Sequence, residues 1–158
     1  MEEESRKSFA LITLYNQLIK EMDDLYRVYA KNCNLSETAF WILYCIRERE
    51  EEAFTQREIC GYWFYTPQTV NSALKNMTEE GLLILRTEED NRKNKRIYLT
   101  EKGKEIAERI VVPLMDAERR ALAALGEQEA EVFLQTMKKH TELFKEEITK
   151  LTEGAEPM

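Results

Sequence analysis

The chain has 158 residues, of which 43% are hydrophobic and 34% charged, and carries a formal net charge of −7. It is long enough for one globular domain with a proper core, and its longest apolar run, the eight residues from Ala39 to Ile46, falls well short of the roughly 18 needed for a membrane span. One histidine and three cysteines, at 33, 45 and 60 with no C-x-x-C spacing, argue against a metal site, so neither metal nor cofactor is expected and the thiols should be reduced and mostly buried. The start Met1-Glu2-Glu3-Glu4 lacks the basic and then apolar pattern of a signal peptide, which predicts a cytoplasmic protein.

Five glycines and three prolines, with charge spread throughout, point to a mainly helical chain. Between Phe9 and Tyr29, the residues Tyr15, Leu18, Met22, Leu25 and Tyr29 follow 3-4-3-4 spacing and share one side of a long helix, which needs a partner to cover it. Ser36 is a good N-cap for a second helix through about Arg47, with Leu35 and Phe40 as its hydrophobic staple. Thr55-Gln56-Arg57-Glu58 is a capping box that starts a short helix at Gln56, predicted to stop near Gly61 and the aromatic cluster Tyr62 to Tyr65. Thr66 as N-cap and Pro67 at the first helical position open the next helix, and Gly81 closes it. Two short helices joined tightly make a helix-turn-helix.

The second of these helices divides by face. Val70, Ala73, Leu74 and Met77 should pack inward, leaving Gln68, Asn71, Ser72 and Lys75 as an outward stripe. Gln and Asn can pair with adenine, Ser with a base or a phosphate, and Lys with guanine or the backbone. Any surface helix shows a polar face, so the segment after Gly81 decides its meaning. The strand-like runs Leu82-Leu83-Ile84-Leu85 and Ile97-Tyr98-Leu99 flank a charged stretch too hydrophilic for a core. From Arg92 to Lys104 six bases face one acid, a local charge of +5 against −12 for the rest of the chain. Starting the window at Arg86 cuts the excess to +3, so the basic segment is narrow. Local potential over a face, more than the total, governs contact with a polyanion. Helix-turn-helix followed by a basic hairpin is a winged helix.

With Asp90-x-Arg92, Leu99-Thr100-x-x-Gly103, Thr69-Val70-Asn71 and Gly81-Leu82-Leu83 in this order and spacing, the chain resembles the MarR family of bacterial and archaeal transcriptional regulators. The resemblance covers about Phe54 to Gly103 in residue detail, and elsewhere only the order of helices matches. It implies a mainly α fold with a small β-hairpin wing, a single domain over 1–158. Within it, 36–103 would be a winged helix-turn-helix that binds DNA, and 5–33 with 104–151 a helical dimerisation lobe. It further implies a homodimer whose two recognition helices enter successive major grooves of a pseudo-palindromic operator in double-stranded DNA, usually as a repressor. Arg92 would insert into the flanking minor groove, held by Asp90, and Lys93, Lys95, Arg96, Gln56 and Arg57 would meet phosphate. The stripe Gln68, Asn71, Ser72 and Lys75, with Thr69, would carry sequence preference.

Thr100 N-caps a long helix with Ile106, Ile110, Leu114, Ala121 and Leu125 at helical spacing, in which Pro113 predicts a kink or a break. Gly126 separates it from a last helix, from Glu127 to about Leu151, with the stripe Phe133, Met137, His140, Phe144 and Ile148. His140 on that stripe reads as a core or interface residue rather than a ligand or catalyst. Many relatives release DNA when a small aromatic or anionic effector binds, and Tyr15, Trp41 and Tyr44 are the aromatics placed to line such a crevice, although aromatics at this spacing also simply build cores. Some relatives sense peroxide through a cysteine near the start of the first long helix, but Phe9 to Tyr15 contains none, which leaves Cys33 as the redox candidate. No G-x-G-x-x-G, G-x-x-x-x-G-K or H-E-x-x-H motif is present, which argues against an enzyme. The competing readings are a winged helix that binds protein alone, suggested by the net charge and by Glu48, Glu50, Glu51 and Glu52, and a thiol-based redox-sensing regulator.

Overall fold

A computed structural model describes residues 2–49, 54–88 and 91–153, and their side chains except those of residues 2–5, 88 and 91–94. The elements run α1 (Glu2–Asn32), α2 (Glu37–Glu48), β1 (Phe54–Thr55), α3 (Gln56–Trp63), α4 (Pro67–Glu79), β2 (Leu83–Glu88), β3 (Asn91–Leu99), α5 (Glu101–Ala123) and α6 (Glu127–Glu153). Contacts divide the chain into two compact units, Met1–Pro113 and Leu114–Met158. No helix among the described residues is long and apolar enough to cross a membrane.

The helix starts follow from local chemistry. Ser36 accepts a hydrogen bond from the Ala39 amide, Thr55 and Glu58 form a reciprocal capping box, and Thr66 accepts from the Thr69 amide with Pro67 behind it. α4 ends in a paired motif, with the Leu82 amide donating to the Met77 carbonyl at 2.8 Å and the Gly81 amide to Thr78 at 3.0 Å, while Gly81 takes φ +71°. The core of the first unit forms where these elements meet. Ile59, Val70, Leu74, Met77, Leu83 and Ile97 are buried with Phe40, Ile42 and Leu43 of α2, each such side chain worth roughly 2 kcal/mol on removal from water.

Three features refine the sequence-based expectations. α3 runs through Gly61 to Trp63 and ends at Phe64 with φ +55°, within the expected aromatic stretch Tyr62 to Tyr65, and the half-buried ring of Trp63 packs on Trp41 of α2. The hairpin gains a third strand: β1 pairs antiparallel with β3, Phe54 opposite Ile97, giving the order β1-β3-β2. α5 has no break at Pro113, which sits inside the helix at an exposed position where water can serve the carbonyl that loses its amide partner.

Candidate nucleic-acid interface

α4 presents the two faces expected from its sequence. Val70, Ala73, Leu74 and Met77 are buried, and Gln68, Thr69, Asn71, Ser72 and Lys75 are exposed along the other side of α4. The Ser72 hydroxyl donates to the Gln68 carbonyl at 3.0 Å, the hydroxyls of Thr66 and Thr69 lie 2.8 Å apart, and Lys75 sits 3.9 Å from Glu79. Gln56, at the start of α3, donates from Nε2 to the Pro67 carbonyl at 2.8 Å, so the N-terminal ends of α3 and α4 are held together, and Arg57 beside it is exposed.

The capping box also fixes an electrostatic feature. The Thr55 amide and hydroxyl both donate to the Glu58 carboxylate at 2.7 Å, and these bonds, with the charges of Arg96 and Arg49 nearby, hold its pKa below the usual carboxylate range. A depressed folded pKa contributes stability that is present above the unfolded value of about 4.3 and is lost as pH falls through the folded value. Glu58→Ala should therefore lower stability by about 0.5 kcal/mol at neutral pH, the scale of an acid in a first helical turn. Urea unfolding of variant and parent between about pH 7 and pH 3 should show that gap closing on acidification, and a constant gap would mean that the carboxylate charge stabilises nothing here.

The wing is placed by its pairing. Leu83 lies opposite Leu99, Leu85 opposite Ile97 and Arg86 opposite Arg96, with a register shift between Thr87 and Glu88. The Arg86 guanidinium stands 5.2 Å over the Tyr98 ring. Lys95 is exposed, whereas Arg96 is half-buried at the base of the hairpin, opposite Thr55 of β1. The backbone of Arg92 and Lys93 lies in β3, toward the turn. Asp90, and with it the expected Asp90–Arg92 pairing, lies outside the described residues, as do Glu50, Glu51 and Glu52.

The end of β3 is tied to the exit of α4. The Thr100 amide donates to the Leu82 carbonyl at 3.0 Å, the Thr100 hydroxyl to the Gly81 carbonyl at 2.7 Å, and the Gly103 amide to that hydroxyl at 3.0 Å. Lys102 reaches the Glu80 carbonyl at 2.7 Å, a cation at the C-terminal end of α4. Two bases of the +5 window thus have local tasks: Lys102 here and Lys104 beside Glu101 at 2.6 Å.

Residues 34–93 are similar to the MarR family, whose model they match. An uncharacterised HTH-type transcriptional regulator, YwoH of Bacillus subtilis (strain 168), is 29% identical over 123 residues, covering 73% of this chain and 88% of the relative. A putative MarR family regulator from Listeria monocytogenes, solved with a 26mer DNA, is 22% identical with a TM-score of 0.71, covering 93% of this chain and 97% of that one. A MarR family regulator from Neisseria meningitidis is 20% identical with a TM-score of 0.75, covering 89% and 97%. The likeness in structure carries the MarR fold beyond the matched segment, over most of the chain. The matched segment holds α2, α3 and α4 with β2 and the start of β3.

Trp41 and Tyr44, weighed both as lining of an effector crevice and as core, lie in a packed ring cluster. Trp41 meets Trp63 at 4.0 Å, Tyr26 at 4.9 Å and Tyr44 at 5.2 Å, and the Trp63 indole donates to the Cys45 sulfur. Tyr26 and Trp63 were missed from sequence, because the stripe chosen on the first helix ran one position round from Tyr26 and no local signal links residue 63 to residue 41. Tyr15 lies eleven residues earlier than Tyr26 on α1 and is half-exposed. Burial pushes the Cys45 thiol up to about 11, which leaves little thiolate at neutral pH, and desolvation raises Cys60 as well. His140 stacks on Phe144 at 6.1 Å on the exposed surface of α6. The described residues hold no cluster of potential metal ligands.

Proposed function

We propose that this chain is a sequence-specific DNA-binding regulator of transcription that works as a homodimer on a pseudo-palindromic operator, and that it represses by occupying that site. The observation that carries the reading is the single exposed face of α4, where Gln68, Thr69, Asn71, Ser72 and Lys75 stand free of the core while the opposite face is fully committed to it. Gln56 and Arg57 flank that face from the start of α3, and Lys95 extends it along the wing. Base contacts would come from the α4 stripe, phosphate contacts from Gln56, Arg57, Lys93, Lys95 and Arg96, and minor-groove insertion from Arg92. The structures of relatives bound to DNA, including the Listeria monocytogenes protein, support this assignment of the fold's use.

Dimerisation is supported by exposed apolar surface. On α1, Phe9, Leu11, Ile12, Leu14, Leu18, Met22 and Leu25 are all more than half exposed, and no described residue of α6 is buried. An effector-release step has thinner support, since a small aromatic or anionic molecule would have to displace the ring packing of Trp41 and Tyr44. A thiol switch has less still, with Cys45 buried and Cys33 half-buried at the end of α1.

Two substitutions separate the two kinds of contact. Lys95→Ala should weaken binding to all duplexes and lower the slope of log affinity against log salt by about one unit per protomer. Asn71→Ala should leave the slope alone and reduce discrimination at one base pair per half-site by about 1–3 kcal/mol. Unchanged affinity and salt slope in Lys95→Ala would exclude the wing from the interface. Unchanged base preference in Asn71→Ala would exclude its side chain from base readout.

A further inference from the structure

Phe64 forms the turn of the helix-turn-helix and is 94% exposed, more than any other large apolar side chain among the described residues. It also holds φ +55°, a conformation that suits glycine or asparagine and is disfavoured for a bulky side chain. Asn34, the other non-glycine with positive φ among the described residues, is of the tolerant type. Phe64 is therefore poorly suited to both its backbone conformation and its exposure. The left-handed conformation is the cap that ends α3, so folding explains the turn but not the choice of a large exposed ring at it, and a contact made by the ring explains that choice.

Its place in the chain identifies the surface. α3 ends at this residue and Thr66 caps α4 two residues later, at most about 7 Å along the backbone. The Gln56 bond to Pro67 holds the start of α3 against the start of α4, and Gln68 and Thr69 open the exposed stripe immediately beyond. In helix-turn-helix proteins the N-terminal residues of the recognition helix are those that meet base edges.

We infer that Phe64 is an apolar DNA contact at the edge of each half-site, seated on carbon surface of the duplex: a thymine methyl in the major groove or deoxyribose of the adjoining backbone. The inference rests on the DNA-reading function proposed above. Docking of a protein fits less well. Tyr62 gives its hydroxyl to Glu48 and lies under Arg49, and Tyr65 is half-buried, so Phe64 does not extend into the contiguous apolar patch that protein partners use. A groove in DNA accepts one side chain.

The test is Phe64→Asn, a residue suited to the left-handed turn, measured on an operator obtained by selection. Its urea midpoint should equal or exceed that of the parent, while operator affinity falls about tenfold with no change in salt slope, because no ion pair is lost. Uracil in place of thymine within the operator separates the two seats. If a thymine methyl is the contact, uracil weakens the parent by the same factor and the variant no further; if deoxyribose is the contact, uracil leaves both proteins unchanged. Parent-like affinity in Phe64→Asn, or a reduced salt slope, would overturn the inference while leaving the DNA-reading function standing. A parent protein that binds no duplex at all would overturn both.

Discussion

Replacing Gly103 by alanine is expected to cost about 3 kcal/mol or more, a large part of the roughly 5–15 kcal/mol that holds such a domain folded, and to abolish operator binding at 37 °C. A Cβ at this position would lie 1.9 Å from the Leu82 carbonyl oxygen, 3.0 Å from its carbon and 3.3 Å from Leu99 Cδ2. The obstructing atoms are backbone, and that oxygen already accepts from the Thr100 amide at 3.0 Å and from its hydroxyl at 3.2 Å. Moving it would break the junction of the α4 exit, β3 and the start of α5. Gly61 supplies the control, since it lies inside α3 with nothing within 4 Å of an added Cβ. Gly61→Ala should raise stability by about 0.5–1 kcal/mol, through helix propensity and a less flexible unfolded chain. Urea midpoints of the two variants should therefore move in opposite directions, and a Gly103→Ala protein as stable as the parent would refute the close approach.

Leu18→Asp is the second large effect. Leu18 is 52% exposed on α1, eight residues before Tyr26, where that helix begins its ring contacts with α2. The anchoring end of α1 is distinct: Ala30 is buried and the Tyr29 hydroxyl donates to the Ile110 carbonyl at 2.7 Å. A charge at Leu18 should thus spare the fold of the protomer and oppose burial against a second copy. Sedimentation should find the parent as a dimer and the variant as a monomer. Operator affinity should fall at least about a hundredfold, because two half-sites no longer act through one linked pair of readers. Full affinity in a monomeric variant would show that dimerisation is not part of binding.

These two positions mark how far the residues themselves carry the fold. The caps at Ser36, Thr55, Thr66 and Thr100 were legible because capping is settled within four residues, and the two faces of α4 were legible because a helix repeats every 3.6 residues. Gly103 was visible only as part of a recurring motif, since its neighbour Leu82 is 21 positions away. The same kind of separation hid β1, whose two residues read as the entry to a helix until Ile97 pairs with Phe54. The end of α3 was legible to within a few residues from Gly61 and the aromatic cluster after it, and packing of Trp63 on Trp41 accompanies the helix two residues past the glycine. The α4 stripe emerged as expected in its exposure, but exposure alone does not say which base it meets. Arg96 was grouped with the phosphate contacts by charge, and its half-buried position beside β1 gives it a structural task as well.

The most direct test of the central claim is a selection of randomised duplex DNA against the purified protein at moderate salt, with the enriched sequences read and the stoichiometry of the complex measured. The expected result is an inverted repeat with half-sites about one helical turn apart, bound by two copies of the chain. No enrichment, with binding absent even at low salt, would contradict it and turn the winged helix and its acidic surroundings toward protein recognition.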